Sequence, residues 1–396
     1  MIPNETLREE AEAIADDVAD ARFDLPGGDA GWVGYGSSKG KPSLRGQKGL
    51  YSGQLGVATY FAAMHRCFPG ESYGESAYDA VRYLFEEETG ELVKGVGLGA
   101  GTGTGALVYG LSVMHELTGE TRYEELAVEF AREITAEAIR GDERYDVLTG
   151  AAGALTGLLG LYERSGASVA KERAVRCGEH LLDDRYDKWG YRVWDTSWDE
   201  GVRSFSTGMG HGAAGIAYAL YRLSDHTGRD EFRRAADDAI AFENAFYSDR
   251  ERNWRSNWVF LPHYQLGWRF GLAGVGSARL GSAEYCESDA VARDVDRLDA
   301  FDPELGRSDA VCDGTFAQVN LLVDLSRHTG DGEYAEQARR LADRAIERKE
   351  SQGHYELAHR SRGLYDPTFF AGTAGIGYAL LRLVRPDELP SVTRFE

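Results

Sequence analysis

Apolar positions along this chain fall in two alternating styles. In the first, Gly212-Ala213-Ala214-Gly215 leads into Ile216-Ala217-Tyr218-Ala219-Leu220-Tyr221-Arg222-Leu223, whose apolar spacing is helical. That run ends at His226-Thr227-Gly228, where glycine is a natural helix terminator. Phe232 then opens a second helix, Arg233 to Phe246. The second style is clearest from Tyr334 to Arg348, where Ala335, Ala338, Leu341, Ala342 and Ala345 are apolar and charges fill the rest. The same punctuation returns at Leu117-Thr118-Gly119 with Tyr123, and at His328-Thr329-Gly330 with Tyr334. Each unit reads as helix, tight turn, helix.

A short glycine motif introduces the first style. Seven copies run along the chain: Gly53 to Gly56, a blurred one from Gly101 to Gly105, Gly150 to Gly153, Gly212 to Gly215, Gly271 to Gly274, a degenerate one from Gly314 to Ala317, and Gly372 to Gly375. Self-similarity at a period of roughly 40–60 residues signals a repeat architecture. Seven copies from end to end predict a closed ring. Small residues let the inner helices crowd together. A glycine turn at a helix N-terminus also presents N–H groups and the positive end of the dipole. Seven such turns would converge on one mouth, where loops held by rigid helices can carry chemistry.

Length alone would allow two or three domains in 396 residues. The repeats run without a Pro-, Gly- or Ser-rich linker, so the expectation is one domain over 1–396. Residues 1–45 are expected to form an N-terminal helix and lead-in, and 46–396 the ring. An apolar share of 42% is ample for a large core. No apolar run approaches the roughly 18 residues of a membrane span. Met1 to Phe23 is acidic and amphipathic, the wrong chemistry for a signal peptide. Cys67, Cys177, Cys286 and Cys312 are too scattered for a disulfide framework. These features predict a soluble cytoplasmic protein. The net charge of −21 argues against nucleic acid, whose phosphates need a basic patch. Lysine is scarce and most positive charge is arginine, a balance that suits a high-salt cytoplasm as well as an ordinary acidic protein.

Among the histidines, His115, His226 and His328 stand just before helix stops, where a basic group complements the dipole. His211 differs. It lies between Gly210 and Gly212, on a loop entering an inner helix, where no core requires it.

The segments Asp146-Val147-Leu148-Thr149-Gly150, Gly208-Met209-Gly210-His211-Gly212, Trp268-Arg269-Phe270-Gly271, Val311-Cys312-Asp313-Gly314 and Gly372-Thr373-Ala374-Gly375, with the tail Leu389-Pro390-Ser391-Val392, resemble one family. It is the lanthionine synthetase C-like cyclases, and the resemblance is strongest to the C-terminal cyclase domain of class II lanthionine synthetases. It runs from Leu50 to the C-terminus. The resemblance implies an all-α fold, an α/α toroid of seven inner and seven outer helices. It implies addition of a peptide cysteine thiol to dehydroalanine or dehydrobutyrine, giving a thioether ring. A dehydrated precursor peptide is the implied partner. With no room for a dehydratase domain in the chain, a separate dehydratase is expected to prepare that peptide.

Zinc-dependent members of that family hold the metal with one Cys from the fifth repeat and a Cys-His pair from the sixth. Here the fifth-repeat position is Arg269, beside Trp268, and the sixth-repeat pair is Cys312-Asp313. Only Cys312 of the three ligands remains, and a catalytic zinc site needs about three protein ligands. The expectation is a protein without the family's zinc or any other cofactor. Arg269 and Asp313 are expected to meet as an ion pair that ties the two loops in place of the metal. Phe270, next along, can neither donate nor accept a proton. His211 and Asp146 match the family's acid/base histidine and its neighbouring aspartate. A carboxylate beside an imidazole favours the protonated ring and fixes its orientation. Asp146 has a second reading, as the N-cap of the third inner helix. Two other functions remain open: a non-catalytic toroid that binds a peptide or a dehydratase, and a carbohydrate-active toroid with Asp146 and Asp313 as its carboxylates.

Overall fold

Each glycine turn ends in a helix whose N-cap is glycine. The inner helices are Gln54–Cys67, Thr104–Thr118, Ala151–Ser165, Ala213–Thr227, Leu272–Ala283, Thr315–Thr329 and Thr373–Val384. Their N-caps are Gly53, Gly103, Gly150, Gly212, Gly271, Gly314 and Gly372. The structure, a computed structural model, describes residues 2–25, 30–35, 42–43, 48–197, 203–256, 263–358 and 365–396. Gly119, Gly166, Gly228 and Gly330 close four of these helices in the left-handed region, with φ between 67° and 74°. The second copy of the motif is framed two residues later than its glycines suggest. Its N-cap is Gly103, with Ala106 three residues on, the same arrangement as Gly314 and Ala317.

Outer helices Tyr73–Val81, Thr121–Glu133, Ser168–Asp183, Asp230–Asn244, Asp289–Arg297 and Gly332–Gln352 follow the first six inner ones and pack on them. The seventh outer helix comes from the other end of the chain. Helix Asn4–Asp20 packs on Thr373–Val384 and buries Leu7, Ala11, Ile14, Ala15 and Val18. Tyr60 of the first inner helix donates to the Ala11 carbonyl at 2.5 Å. The N-terminal segment is therefore part of the ring and not a lead-in to it. Parts of the expected lead-in, 26–29, 36–41 and 44–45, lie outside the described residues. Each inner helix packs on the next, and the seventh packs on the first. The α/α toroid is thus closed, and among the described residues four short two-stranded antiparallel ladders are added to it. Among the described residues, no helix is long and apolar enough to cross a membrane.

At the mouth, the seven loops are stitched together by their backbones. Tyr51 N–H donates to the Gly101 carbonyl, Gly101 to Leu148, Leu148 to Gly210, Met209 to Trp268, Trp268 to Cys312, Cys312 to Phe370, and Phe370 back to Tyr51, at 2.7 to 3.2 Å. The close passage of the loop explains the second glycine in the five copies that have one, Gly56, Gly153, Gly215, Gly274 and Gly375. A Cβ at Gly274 would lie 1.8 Å from the Trp268 carbonyl, and one at Gly153 would lie 2.0 Å from that of Val147. The loop chain crosses too closely there for any side chain. The belt also aligns equivalent positions. Two residues before each N-cap stand Tyr51, Gly101, Leu148, Gly210, Arg269, Cys312 and Phe370.

The hole of the ring is filled by the C-terminal tail. Tyr378 donates to the Pro390 carbonyl at 2.9 Å, Arg222 to that of Phe395 at 2.9 Å, and Ser391 to Asp324 at 2.9 Å. Phe395 packs on Tyr109, and Arg164 bonds the Glu396 carbonyl. These partners come from five inner helices. Asp324 is fully buried and is bonded by Arg382 at 2.7 Å.

Candidate functional site

Two pairs of charged or ionisable side chains bridge neighbouring loops at the mouth. The first joins the third and fourth. His211 precedes the N-cap Gly212, and its Nδ1 lies 2.7 Å from Asp146 Oδ2. Both residues are 1% exposed. Asp146 stands four residues before the N-cap Gly150, so it is not that helix's cap. Its Oδ1 instead accepts from the Thr149 N–H at 2.6 Å and the Thr149 hydroxyl at 3.0 Å. With Oδ1 so occupied, Oδ2 is the atom that faces the imidazole. A carboxylate can only accept, so Nδ1 carries the hydrogen and Nε2 is the basic ring atom. Phe270 packs against the ring at 5.0 Å between centroids and shields it from water.

The second pair joins the fifth and sixth loops. Arg269 donates to Asp313 Oδ2 at 2.5 Å, and each side chain is about one third exposed, at 34% and 31%. Burial works against the Arg269 charge, but the groups around it, the bonded Asp313 carboxylate among them, outweigh burial and hold the guanidinium protonated. Cys312 lies beneath this pair. Its Sγ accepts from the Tyr51 hydroxyl at 2.9 Å, and Tyr51 stacks on Phe370 at 5.3 Å. Burial pushes the Cys312 thiol well up, Asp313 adds to that, and Arg269 offsets it only in part. Cys312 is therefore a neutral thiol in a dry place.

A family model for lanthionine synthetase C-like protein matches residues 46–394. The chain belongs to the lanthionine synthetase C-like family. Among solved structures, nisin cyclase is similar at 14% identity over 89% of this chain and 92% of that one, with a TM-score of 0.67. An unsaturated glucuronyl hydrolase from Bacillus sp. GL1 is similar at 14% identity over 97% of each chain, with a TM-score of 0.50. Likenesses at these identities establish the shared fold. No curated protein sequence matches significantly.

In this lanthionine synthetase C-like protein, the residues that the resemblance assigns to the metal do not fit zinc. Arg269 is a permanent cation, and the Asp313 carboxylate is already bound to it. Among the described residues, no group of three His, Cys, Asp or Glu side chains could hold a metal ion. Trp268, grouped with this position from the sequence, faces the other way. It is 1% exposed, packs on Phe370 at 4.7 Å and donates from its indole N–H to the Thr393 carbonyl at 2.8 Å. It joins the fifth loop to the tail in the hole.

Tyr51 is the site residue that sequence reasoning missed. Aligning the seven copies two positions before the N-cap would have placed it beside Arg269, Cys312 and Phe370. The three histidines before helix stops do lie in last turns. His226 bonds Glu163 at 2.6 Å, and His115 meets Glu124 at 3.3 Å.

Proposed function

We propose that this protein adds a cysteine thiol of a peptide to a dehydroalanine or dehydrobutyrine without zinc, with His211 and Asp146 handling the proton. The observation that carries this reading is the buried 2.7 Å pair of His211 Nδ1 and Asp146 Oδ2. The addition needs no redox partner. The sulfur–hydrogen bond and the π bond of the double bond break, a carbon–sulfur bond forms at the β-carbon, and a proton ends on the α-carbon. His211 Nε2 accepts and returns that proton, while Asp146 stabilises the imidazolium between the two transfers. Arg269 supplies a fixed positive charge that favours the thiolate of the incoming cysteine. Its effect is moderated by Asp313, which neutralises part of the field. The peptide comes to the mouth already dehydrated by another protein.

The test is a dehydrated, cysteine-containing peptide incubated with the protein. Ring closure leaves the mass unchanged, so free thiols are counted by alkylation and mass spectrometry. The reading expects thiols to disappear with the wild type and to persist with His211→Ala. A toroid that only binds would retain the peptide and leave every thiol alkylatable. The carbohydrate reading needs two carboxylates across a sugar site, and its candidates Asp146 and Asp313 are each committed to a basic partner.

A further inference from the structure

The loop that carries His211 is held from behind by a buried acid that belongs to neither pair at the mouth. Glu243 lies near the end of the fourth outer helix, Asp230–Asn244, and its side chain is fully buried. Oε1 accepts from the Gly208 N–H at 3.2 Å and the Ala214 N–H at 2.9 Å. Those two amides bracket the turn 208–214, with His211 at its centre. The N-cap there is Gly212, which has no side chain to satisfy the first N–H groups of the inner helix. Glu243 does so from the outer layer. Its other oxygen, Oε2, accepts from Arg279 of the fifth inner helix at 2.7 Å, and Arg279 Nε donates to Asp294 at 2.8 Å. Arg297 completes the chain by donating to Asp294 at 2.8 Å.

We propose that Glu243 is a positioning residue for His211, itself held in place by Arg279 and, through Arg279, by Asp294. The inference rests on His211 as the proton carrier of the reaction proposed above. Several observations converge on it. A carboxylate is the acceptor that can hold two N–H groups with one oxygen and a guanidinium with the other. The four linked groups Glu243, Arg279, Asp294 and Arg297 alternate in sign, so the buried charges are compensated from end to end. Burial pushes the Glu243 carboxyl up, and Arg279 and the two amides work against it. Arg279 is what makes a charged acceptor tolerable at full burial. The turn itself has little slack. Gly208 has φ +107°, and a Cβ there would lie 2.6 Å from the Arg269 carbonyl. Loosening the clamp would release the fourth loop from the fifth and move the imidazole relative to Asp146. A sub-ångström error in such a ring is enough to cost rate, because proton transfer depends on geometry.

The experiment compares Glu243→Gln with Asp309→Asn. Asp309 is an equivalent buried acid two loops away, bonded to Arg348 and to the Glu356 N–H at 2.9 Å. Amide hydrogen exchange across 208–214 and the nitrogen-15 signals of the His211 ring are read in both, at neutral pH. Glu243→Gln is expected to speed exchange at Gly208 and Ala214 at least tenfold and to move the His211 ring signals. Asp309→Asn is expected to lower the melting temperature and leave both readouts at their wild-type values. If the two variants behave alike at 208–214, Glu243 is only a stabilising residue and the proposal is overturned. Should Glu243→Gln fail to fold, Asp294→Asn replaces it, with an expected change of about threefold in exchange at the same two amides; no change there overturns the proposal equally. These readouts need no peptide, so a failure here is separate from a failure of the thiol-addition reading.

Discussion

Two pairs bridge adjacent loops at one mouth, and they differ in what can move between their members. His211 and Asp146 are buried, and the bond at Nδ1 fixes the orientation of a ring whose other nitrogen can exchange a proton. Arg269 and Asp313 are a third exposed, and the groups around Arg269 hold its guanidinium charged. The first is suited to proton transfer, the second to position and field. On the proposed reading, the ion pair stands where the resemblance puts a metal, and the pair on the other side of the mouth handles the proton. The difference teaches that a change at one pair need not disturb the other, because they sit on different loops.

The largest effect is expected on the first pair. His211→Ala should lower the rate of thioether closure by about 10²–10⁴-fold, the usual range for a positioned acid/base group, measured by thiol alkylation over time. Asp146→Asn should fall short of that loss, since the amide oxygen can still accept from Nδ1–H but cannot balance the imidazolium charge. A loss at Asp146 larger than at His211 would reverse their roles.

A third pair, far from the mouth, gives the energetic reference. Asp324 and Arg382 are fully buried beneath the tail. Burial pushes the Asp324 carboxyl up, but Arg382 and Arg394 more than offset this and hold it below the usual carboxylate range. A carboxyl held down in the folded state adds stability above about pH 4 and loses it as pH falls through its folded pKa. Asp324→Asn should therefore cost about 3–5 kcal/mol at neutral pH, the cost of leaving a buried charge unpaired, and less under acid conditions. Denaturant melts of both proteins across pH check this. A gap that widens toward low pH would contradict it.

The second pair should give the smallest change. Arg269→Ala is expected to cost about 1 kcal/mol, with part of that lost in high salt, because water already screens the pair. If stability and peptide-directed activity are both unchanged, the pair neither ties the loops nor assists the thiol. Replacing both members sharpens the contrast. Arg269→Cys together with Asp313→His recreates three ligands around Cys312 and should bring near-stoichiometric zinc, measured by elemental analysis, whereas either change alone should not.

Much of this architecture was legible in the sequence, for identifiable reasons. Glycine stands before every inner helix and after four of them, so Ala213–Thr227 follows from Gly212 and Gly228. The second repeat was misframed because Gly99, Gly101, Gly103 and Gly105 offer several frames and only the contacts of Gly103 choose one. The N-terminal helix was expected, but not as the seventh outer helix, because ring closure joins the two chain ends, which sequence adjacency cannot reveal. The short ladders, such as Tyr247–Ser248 with Asn253–Trp254, are too brief to show a period. At the site, His211, Asp146, Arg269, Cys312 and Asp313 were visible because each sits in a motif loop. Trp268 sits in one too, yet its indole is turned to Thr393, a partner 125 residues away. Glu243 was hidden for the opposite reason: it lies on an outer helix and reaches the loop only through the fold.

The most direct test of the central claim is closure of a dehydrated cysteine peptide in the presence of a strong zinc chelator, followed by thiol alkylation and mass spectrometry. The account predicts that wild-type protein consumes thiols at the same rate with and without chelator, and that His211→Ala does not consume them. Closure that stops with chelator and returns on adding zinc would contradict it.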